Sequence, residues 1–462
     1  MAKKFDSIVI GTGQSGPSMA ARLARSGRKV AVIERAKMGG TCVNYGCIPT
    51  KTLVASARAI HMARRGAEFG FDLESPPRVD MKRVKQRKDA VVERSNSGVT
   101  KWLEGTDNLE LIRGHGRFAS AGTIRVGERL LEAGEIFVNV GARAAAPPVP
   151  GLSEIPYWTN TEMTDVDFLP ESLIILGGSY IGLEFAQMYR RFGSEITVIE
   201  AGRSIVSRED ADASKTMTEI LEGEGIRIET GVEHLRFEED SNRIRARFRR
   251  DGEDREVIGT NLLVGAGRRP NTDDLGLDKA GVETDQRGYI RVDDALRTNV
   301  GGVWALGDCN GRGAFTHTSY NDYEIAAANL FDNDPRRVSD RILCYALYTD
   351  PPLARIGMNK QQARESGKKV LRAHRSMKRI GRAVESGETQ GFMEALIEAE
   401  TGRILGATIL GHNGDEVIHS LLDVMYSGAP YTTISRAVHI HPTISELIPT
   451  MLQEMRPLEE SE

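Results

Sequence analysis

Phe5-Asp6-Ser7-Ile8-Val9-Ile10-Gly11-Thr12-Gly13-Gln14-Ser15-Gly16 decides the fold. Phe5 to Ile10 is a short, β-branched run that reads as a strand, residues 17–26 have helical composition, and a second strand, Lys29 to Ile33, ends on Glu34. Glycines at the first, third and sixth turn positions permit a tight bend and close backbone approach. The helix N-terminus then faces a pyrophosphate, and the acid accepts from a ribose hydroxyl. Strand, turn, helix and acid all fall in register, which predicts a dinucleotide site built on Gly11, Gly13, Gly16 and Glu34.

The same unit occurs again. Leu173 to Leu176 reads as a strand, Gly177-Gly178-Ser179-Tyr180-Ile181-Gly182 as the turn, Leu183 to Phe192 as a helix, and Glu195 to Ile199 as a strand closing on Glu200. Two such units in one chain imply two nucleotides exchanging electrons. Ser179 stands where a glycine is usual, and its small side chain still lets a phosphate approach. Glu200 would repel a 2′-phosphate, which favours NADH, while Arg203 three residues on leaves NADPH open as a donor.

Between the two units lies Gly39-Gly40-Thr41-Cys42-Val43-Asn44-Tyr45-Gly46-Cys47-Ile48-Pro49-Thr50-Lys51, with two of the chain's 4 cysteines five positions apart. Ile48 to Ala59 has helical composition and Pro49 suits a first helical turn. Cys47 therefore stands where backbone N–H groups and the helix dipole stabilise a thiolate. Gly46 leaves the intervening loop flexible enough to bring the two sulfurs together. The pair reads as redox-active.

This block resembles the redox signature of the pyridine nucleotide-disulfide oxidoreductases, the family of dihydrolipoamide dehydrogenase, glutathione reductase and mercuric reductase. The resemblance covers essentially the whole chain. Thr298 to Asp308 resembles the family's second flavin motif, Gly265 to Thr272 its crossing point between nucleotide domains, and His439-Ile440-His441-Pro442-Thr443-Ile444-Ser445-Glu446 its HxHPxxxE motif. It implies an α/β fold with two Rossmann-like dinucleotide-binding domains and a C-terminal α+β dimerisation domain: residues 1–148 and 271–337 for FAD, 149–270 for NAD(P)H, and 338–462 for the interface of a homodimer. FAD would be held by Gly11, Gly13, Gly16, Glu34, Gly40, Thr41, Lys51, Gly141, Asp308, Ala314, Phe315 and His317, with Asp308 on the ribityl chain. The nicotinamide nucleotide would be held by Gly177, Ser179, Gly182, Glu200 and Gly267.

The resemblance also implies a route for the electrons, from NADH through FAD to a Cys42–Cys47 disulfide. In it Cys47 is the flavin-side thiolate and Cys42 attacks substrate. Lys51, paired with Glu184, points at the flavin. His441 of the partner subunit shuttles protons, with Glu446 holding its tautomer, while His439 has no assigned role. The acceptor favoured by Glu200 and the intact HxHPxxxE block is a small disulfide such as lipoamide. A metal-ion reductase acting on Hg(II) or Cu(II) is the alternative, because Thr50, Thr349 to Leu353 and Asn310 to Phe315 look closer to mercuric-reductase-like proteins and to bacterial reductases linked to copper and reactive chlorine. Against a true mercuric reductase, residues 451–462 hold no cysteine pair to deliver the soft cation, and the N-terminus lacks a metal-binding CxxC extension. No fixed metal site is expected. A non-catalytic flavoprotein scaffold is the reading from another class, and the full catalytic set argues against it. An oxygen-using NADH oxidase would centre on a single redox cysteine.

Composition sets the remaining expectations. A length of 462 residues suits two to four domains. A formal net charge of -4 gives no reason to expect nucleic acid or an anionic membrane as partner. Four cysteines in so long a chain suit a reducing cytosol rather than a disulfide framework. With no signal-peptide pattern and no long apolar run, a cytoplasmic protein is expected. Further along, residues 60–104 read as two helices, 109–140 as a small antiparallel sheet, 143–150 as a stiff connection, 226–258 as a hairpin and 416–425 as a helix. Cys309 and Cys344 read as buried small residues.

Overall fold

The computed structural model describes residues 2–458. Two parallel sheets and one antiparallel sheet organise the chain into an α/β architecture with a C-terminal α+β part. The first sheet has five strands in the order Val303–Ala305, Glu135–Val138, Ser7–Ile10, Val30–Glu34 and Leu109–Arg113, all parallel. Ser7–Ile10 and Val30–Glu34 are buried along their whole length. That is why they are short apolar runs with no polar alternation. The second sheet repeats the plan with Arg227–Glu229, Glu195–Ile199, Ser172–Leu176 and Asn261–Val264. Ala142–Ala144 pairs antiparallel with Arg268–Pro270, so the outgoing and returning connections run side by side. The C-terminal sheet is antiparallel and six-stranded, with Leu353–Gly357, Ile404–Leu410 and Phe392–Glu398 at its centre.

Several local expectations are corrected. Leu109–Arg113 and Glu135–Val138 do not join a small antiparallel sheet but enter the first parallel one. Ile136, Phe137 and Val138 are all buried there, which a one-sided sheet would not provide. Only Gly116–Ser120, Thr123–Val126 and Arg129–Glu132 form the antiparallel unit, with Lys3–Lys4 added parallel at its edge. The 226–258 stretch is not one hairpin: Arg227–Glu229 belongs to the parallel sheet, and Glu233–Asp240, Arg243–Arg250 and Glu253–Gly259 make a three-stranded meander. The helix expected over 416–425 is two, Gly414–Val417 and His419–Ser427. The first helix begins at Ser15, two residues earlier than expected.

The cysteine-bearing helix is longer than its sequence suggests, running Cys47–Arg64. The next regular helix is Met81–Glu104, capped by the Asp80 side chain accepting from the Arg83 N–H at 3.2 Å. Between them, after a short turn at Gly66–Phe69, Pro76 and Pro77 keep the chain extended. Leu53 and Ala57 of the cysteine helix pack into one core with Leu183, Phe185 and Ala186 of Tyr180–Phe192. The redox segment is thereby fastened to the second nucleotide unit as well as the first. Among the described residues, no helix is long and apolar enough to cross a membrane.

A buried ion cluster fastens the second nucleotide unit to the C-terminal sheet. Arg355 Nε donates to Glu209 Oε2 at 2.7 Å and Nη2 to Asp210 Oδ2 at 2.7 Å, with the Arg355 and Glu209 side chains only 2% and 0% exposed. Removing one member of such a cluster strands a buried charge. Arg355→Met is expected to cost about 3–5 kcal/mol in denaturant unfolding. Adding Glu209→Gln should recover part of the loss, and full stability of the single variant would show that the cluster carries none.

Candidate redox and nucleotide-binding site

The two strand-end acids do the same work in both nucleotide units. Glu34 Oε2 accepts from Thr12 N at 2.9 Å and Thr12 Oγ1 at 2.7 Å, while Oε1 accepts from Ala36 N at 2.8 Å. Glu200 accepts from Gly178 N and Gly202 N, both at 2.7 Å. Each acid thus holds the second residue of its glycine turn and the residue two beyond itself. The glycines behind the turns match as well: a Cβ on Gly16 would lie 2.2 Å from Gly11 O, and one on Gly182 would lie 2.0 Å from Gly177 O. Any side chain there would push helix and strand apart.

One cavity of about 2220 Å³ runs from Glu34 to Glu200 and is lined by both cysteines. Gly11, Gly13, Gly40, Thr41, Lys51, Gly141, Asp308, Ala314, Phe315, His317, Gly177, Ser179, Glu184 and Gly267 also line it. Gly16 and Gly182 stand behind the walls, and His441 and Glu446 are elsewhere. Arg208 lines the cavity, and Arg203 is not among its lining residues.

The segment between the cysteines is not a loop throughout, because Cys42 sits in a short helix, Gly40–Asn44. Its register is fixed by Asn44, whose Nδ2 donates to Met38 O at 2.8 Å and Gly40 O at 2.9 Å, while Asn96 Nδ2 from Met81–Glu104 donates to Asn44 Oδ1 at 3.1 Å. Gly40 has φ 63°, and a Cβ there would meet Gly13 Cα at 2.8 Å. Only glycine lets the cysteine-bearing turn rest on the first nucleotide turn.

Cys42 and Cys47 both line the cavity, and each acts on the other's titration. The two sulfurs are not equivalent. A hydrogen bond from Cys42 lowers the Cys47 thiol to about 6 against the cost of burial, helped by Thr316 and Lys51. The Cys42 thiol is pushed up, first by its bond to Cys47 and then by burial. The two shifts run in opposite directions, and Cys47 is the sulfur favoured to ionise. Lys51, one helical turn beyond Cys47, holds Glu184 at 2.7 and 2.9 Å. Glu184 also accepts from Tyr348 N at 2.9 Å, and the Lys51 ammonium lies 4.5 Å from the centre of the Tyr348 ring.

Asp308 Oδ2 forms an ion pair with Arg268 Nη2 at 2.9 Å, and burial pushes its carboxyl above the usual range with the guanidinium opposing. Phe315 stacks on His317 and on Tyr345, and the Tyr180 and Tyr345 hydroxyls share Glu209 Oε1 at 3.0 and 2.7 Å. His317 Nε2 meets Cys344 O at 2.7 Å, a structural bond. Sequence reasoning named none of Thr316, Tyr348, Arg268 and Tyr180. Thr316 and Tyr180 lie inside or beside stretches it did quote, so adjacency to a motif was the available signal. Arg268 likewise lies inside Gly265 to Thr272, whereas Tyr348 acts through the tertiary fold alone. Cys309 is fully buried and pushed up to about 12 by that burial, with Sγ directed at Leu306 O and Val138 O.

His441 and Glu446 pair with each other but not with the cysteines. His441 Nδ1 donates to Glu446 Oε2 at 2.9 Å, and the histidine side chain is 79% exposed. Beside it Val438 and Ile440 are 101% and 80% exposed, an apolar segment with nothing over it among the described residues. Arg382 fixes the loop by donating to Pro442 O through Nε at 3.1 Å and Nη2 at 2.8 Å.

The lining fits two dinucleotides. Both glycine turns form cradles that a Cβ would fill, each beneath a helix N-terminus and beside an acid. Arg341 Nη1 is buried without a hydrogen-bond partner among the described residues, and Arg341 belongs to the same lining. A doubled nucleotide site with a dithiol between its halves defines a class. The chain belongs to the pyridine nucleotide-disulphide oxidoreductases: residues 5–323 match that family and residues 344–452 match its dimerisation domain. It is therefore a member of an FAD- and NAD(P)H-dependent enzyme family.

Among individual relatives, it is 34% identical over 451 residues to the probable pyridine nucleotide-disulfide oxidoreductase RclA of Escherichia coli, covering 96% of this chain and 97% of that one. It is also 34% identical to a dihydrolipoyl dehydrogenase of Thermus scotoductus, with 96% of each chain covered. Identity to a mercuric reductase of Bacillus cereus is 30%, over 94% of this chain and 70% of the relative. The Cu(II) complex of the HOCl-induced flavoprotein disulfide reductase RclA from E. coli matches with a TM-score of 0.88 at 32% identity, over 97% of this chain and 100% of that one.

The asymmetry of the sulfurs has a pH signature. In the reduced protein one thiolate should titrate with a midpoint of about 6. It is present above that pH and lost as the pH falls through it, whereas Cys42 stays protonated. Thiolate absorbance measures this directly. Lys51→Met is expected to move the midpoint upward, because the ammonium favours the charged form. An unmoved midpoint would remove Lys51 from the account.

Proposed function

We propose that this protein is an NADH-dependent, FAD-containing disulfide reductase that passes electrons through the Cys42–Cys47 couple to a small disulfide such as lipoamide. The observation that carries this reading is the placement of Cys42 and Cys47 in one cavity joining both nucleotide units, with Thr316 and the Lys51–Glu184 pair gathered at Cys47, whose surroundings favour the thiolate. FAD, when bound, supplies the two-electron transfer between nicotinamide and disulfide. Glu34, Asp308 and the turn Gly11 to Gly16 would hold it. The second turn and Glu200 would hold the nicotinamide nucleotide, and the Glu200 carboxylate disfavours a 2′-phosphate.

The chain's own residues divide the remaining work. Lys51, fixed by Glu184, keeps a positive charge beside Cys47. Cys42 gives up its proton and attacks the substrate disulfide, and Cys47 then closes on Cys42 to release a dithiol. Such exchange moves protons as well as electrons, so it needs an acid/base group. The His441–Glu446 dyad suits that task, with Nδ1 tied to the carboxylate and Nε2 facing solvent. Because the dyad stands away from the cysteines of its own chain, we assign it to the site of the partner subunit in a homodimer. The dimerisation-domain match supports that assignment.

A metal-ion reductase is the second reading, favoured by the likeness to RclA in its Cu(II) complex and to mercuric reductase. Cu(II) or Hg(II) would then be substrate rather than a resident ion. The metal ion itself takes up no proton, but reoxidising the dithiol still releases the one on Cys42, so in this reading the dyad would only accept that proton and would have none to return to a product.

Anaerobic NADH oxidation with lipoamide in one cuvette, and with Cu(II) or Hg(II) and excess thiol in the other, separates the two. Turnover with lipoamide that is lost in Cys42→Ser, and falls by roughly 10²–10⁴-fold in His441→Gln, is expected. Turnover with metal alone, lost in Cys42→Ser, would reverse the assignment. NADH should exceed NADPH in kcat/KM by about tenfold or more, equivalent to ~1.4 kcal/mol, and Glu200→Ser should narrow the gap.

A further inference from the structure

Cys47 meets a second helix besides its own. Thr316 is the first residue of Thr316–Ala327, and its Oγ1 lies 3.0 Å from Cys47 Sγ. A threonine inside a helix commonly turns its hydroxyl back to a carbonyl one turn earlier. At the first helical position there is no earlier turn, so the hydroxyl is free to reach outward. Among the described residues no other side-chain hydrogen bond of Thr316 is recorded. Its placement is rigid for two reasons. Phe315 N is held by Thr318 Oγ1 at 3.1 Å, with the Phe315 ring between His317 and Tyr345. One turn on, Ser15 Oγ donates to Ser319 O at 2.6 Å, tying this helix to the first nucleotide turn.

We propose that Thr316 is a positioning residue for the redox couple: its hydroxyl donates to Cys47 Sγ and selects that sulfur, rather than Cys42, to carry the negative charge of the reduced pair. This rests on reading Cys42 and Cys47 as the redox couple. A hydroxyl has a single proton to donate, and Thr316 Oγ1 lies within hydrogen-bond distance of Cys47 Sγ, at 3.0 Å, so that sulfur is favoured as the thiolate. The other groups acting on Cys47 are Cys42, Lys51 from its own helix, Glu184 from Tyr180–Phe192, and Tyr348 from the C-terminal part. Cys42 and Lys51 favour the thiolate and Glu184 opposes it. Lys51 is itself held by Glu184 at 2.7 Å, and the hydrogen bond that reaches Cys47 Sγ from another helix is the one from Thr316, at 3.0 Å. Reduction of the couple then balances: the S–S bond takes two electrons and one proton, the proton goes to Cys42, and Cys47 is released as thiolate.

The test compares wild type with Thr316→Val, Thr316→Ala and Thr316→Ser in the FAD-loaded protein. Two quantities are read, the pH midpoint of the thiolate in the dithiol form and the dithiol-to-disulfide ratio in glutathione redox buffers. Valine keeps the shape and removes the donor, and alanine serves as the second variant should valine impair folding. Expected are a midpoint raised by about one pH unit in both, a tenfold smaller thiolate-to-thiol ratio, and a dithiol fraction lowered to match at neutral pH. The difference should vanish once the pH is low enough to protonate Cys47 in every variant, and serine should behave as wild type. Valine and alanine variants that titrate like wild type, or a serine variant displaced as far as valine, would overturn the proposal. Failure of the oxidised wild type to contain a Cys42–Cys47 disulfide at all would instead overturn the redox-couple reading beneath it.

Discussion

The contact on which the rest of the molecule turns is the ion pair between Lys51 and Glu184. It joins the helix that begins at Cys47 to the helix that begins the second nucleotide unit, and Glu184 simultaneously receives the backbone of Tyr348 from the C-terminal part. Three parts of the chain, far apart in sequence, therefore meet within one hydrogen-bonded cluster beside the cysteines. The Glu184 side chain is 7% exposed, so its charge is neutralised locally or not at all. Electron transfer between two nucleotides needs fixed separation and orientation. A buried ionic joint between the two halves is a direct way of providing them.

The second organising constraint is duplication. The first and second nucleotide units share more than a motif, because each strand-end acid is spent in the same way on its own turn. Neither Glu34 nor Glu200 is merely poised for a ribose; each holds the turn that receives the phosphates. That double duty explains why an acid occupies both positions, and why Ser179 is tolerated between two glycines that pack tightly. The units then diverge in what surrounds them: the first carries the cysteine turn against Gly13, while the second carries Tyr180 and the buried Glu209–Arg355 cluster.

Much of this was legible in the sequence because it depends on local spacing. The glycine turns, the acids at strand ends, the paired cysteines at a helix start and the Lys51 position all follow from residues within one or two turns of each other. The strands between 109 and 140 were not legible in the same way. Whether a short apolar run such as Ile136 to Val138 alternates on a one-sided sheet or fills a parallel one depends on which distant strand it meets. Thr316 was invisible for a related reason. Nothing in Ala314-Phe315-Thr316-His317 says that its hydroxyl ends against a sulfur 269 positions away. The aromatic residues flanking it draw attention first, and the small one between them makes the contact. His441 is the converse case, a residue with a clear motif that the fold of a single chain leaves facing solvent.

The placement of the chain's other thiols bears on how the molecule withstands oxidants. Cys309 is sealed beneath the first sheet, and Cys344 is held in its protonated form by burial, so neither offers a ready thiolate. The one whose surroundings favour a thiolate is Cys47, with Cys42 lining the same cavity. With these two as the proposed redox couple, a sulfenic acid formed at Cys47 would be captured by Cys42 as a disulfide before it could advance to the irreversible acids. The proposed couple would then also be the chain's sacrificial surface, and the injury it takes would be the one its own turnover repairs.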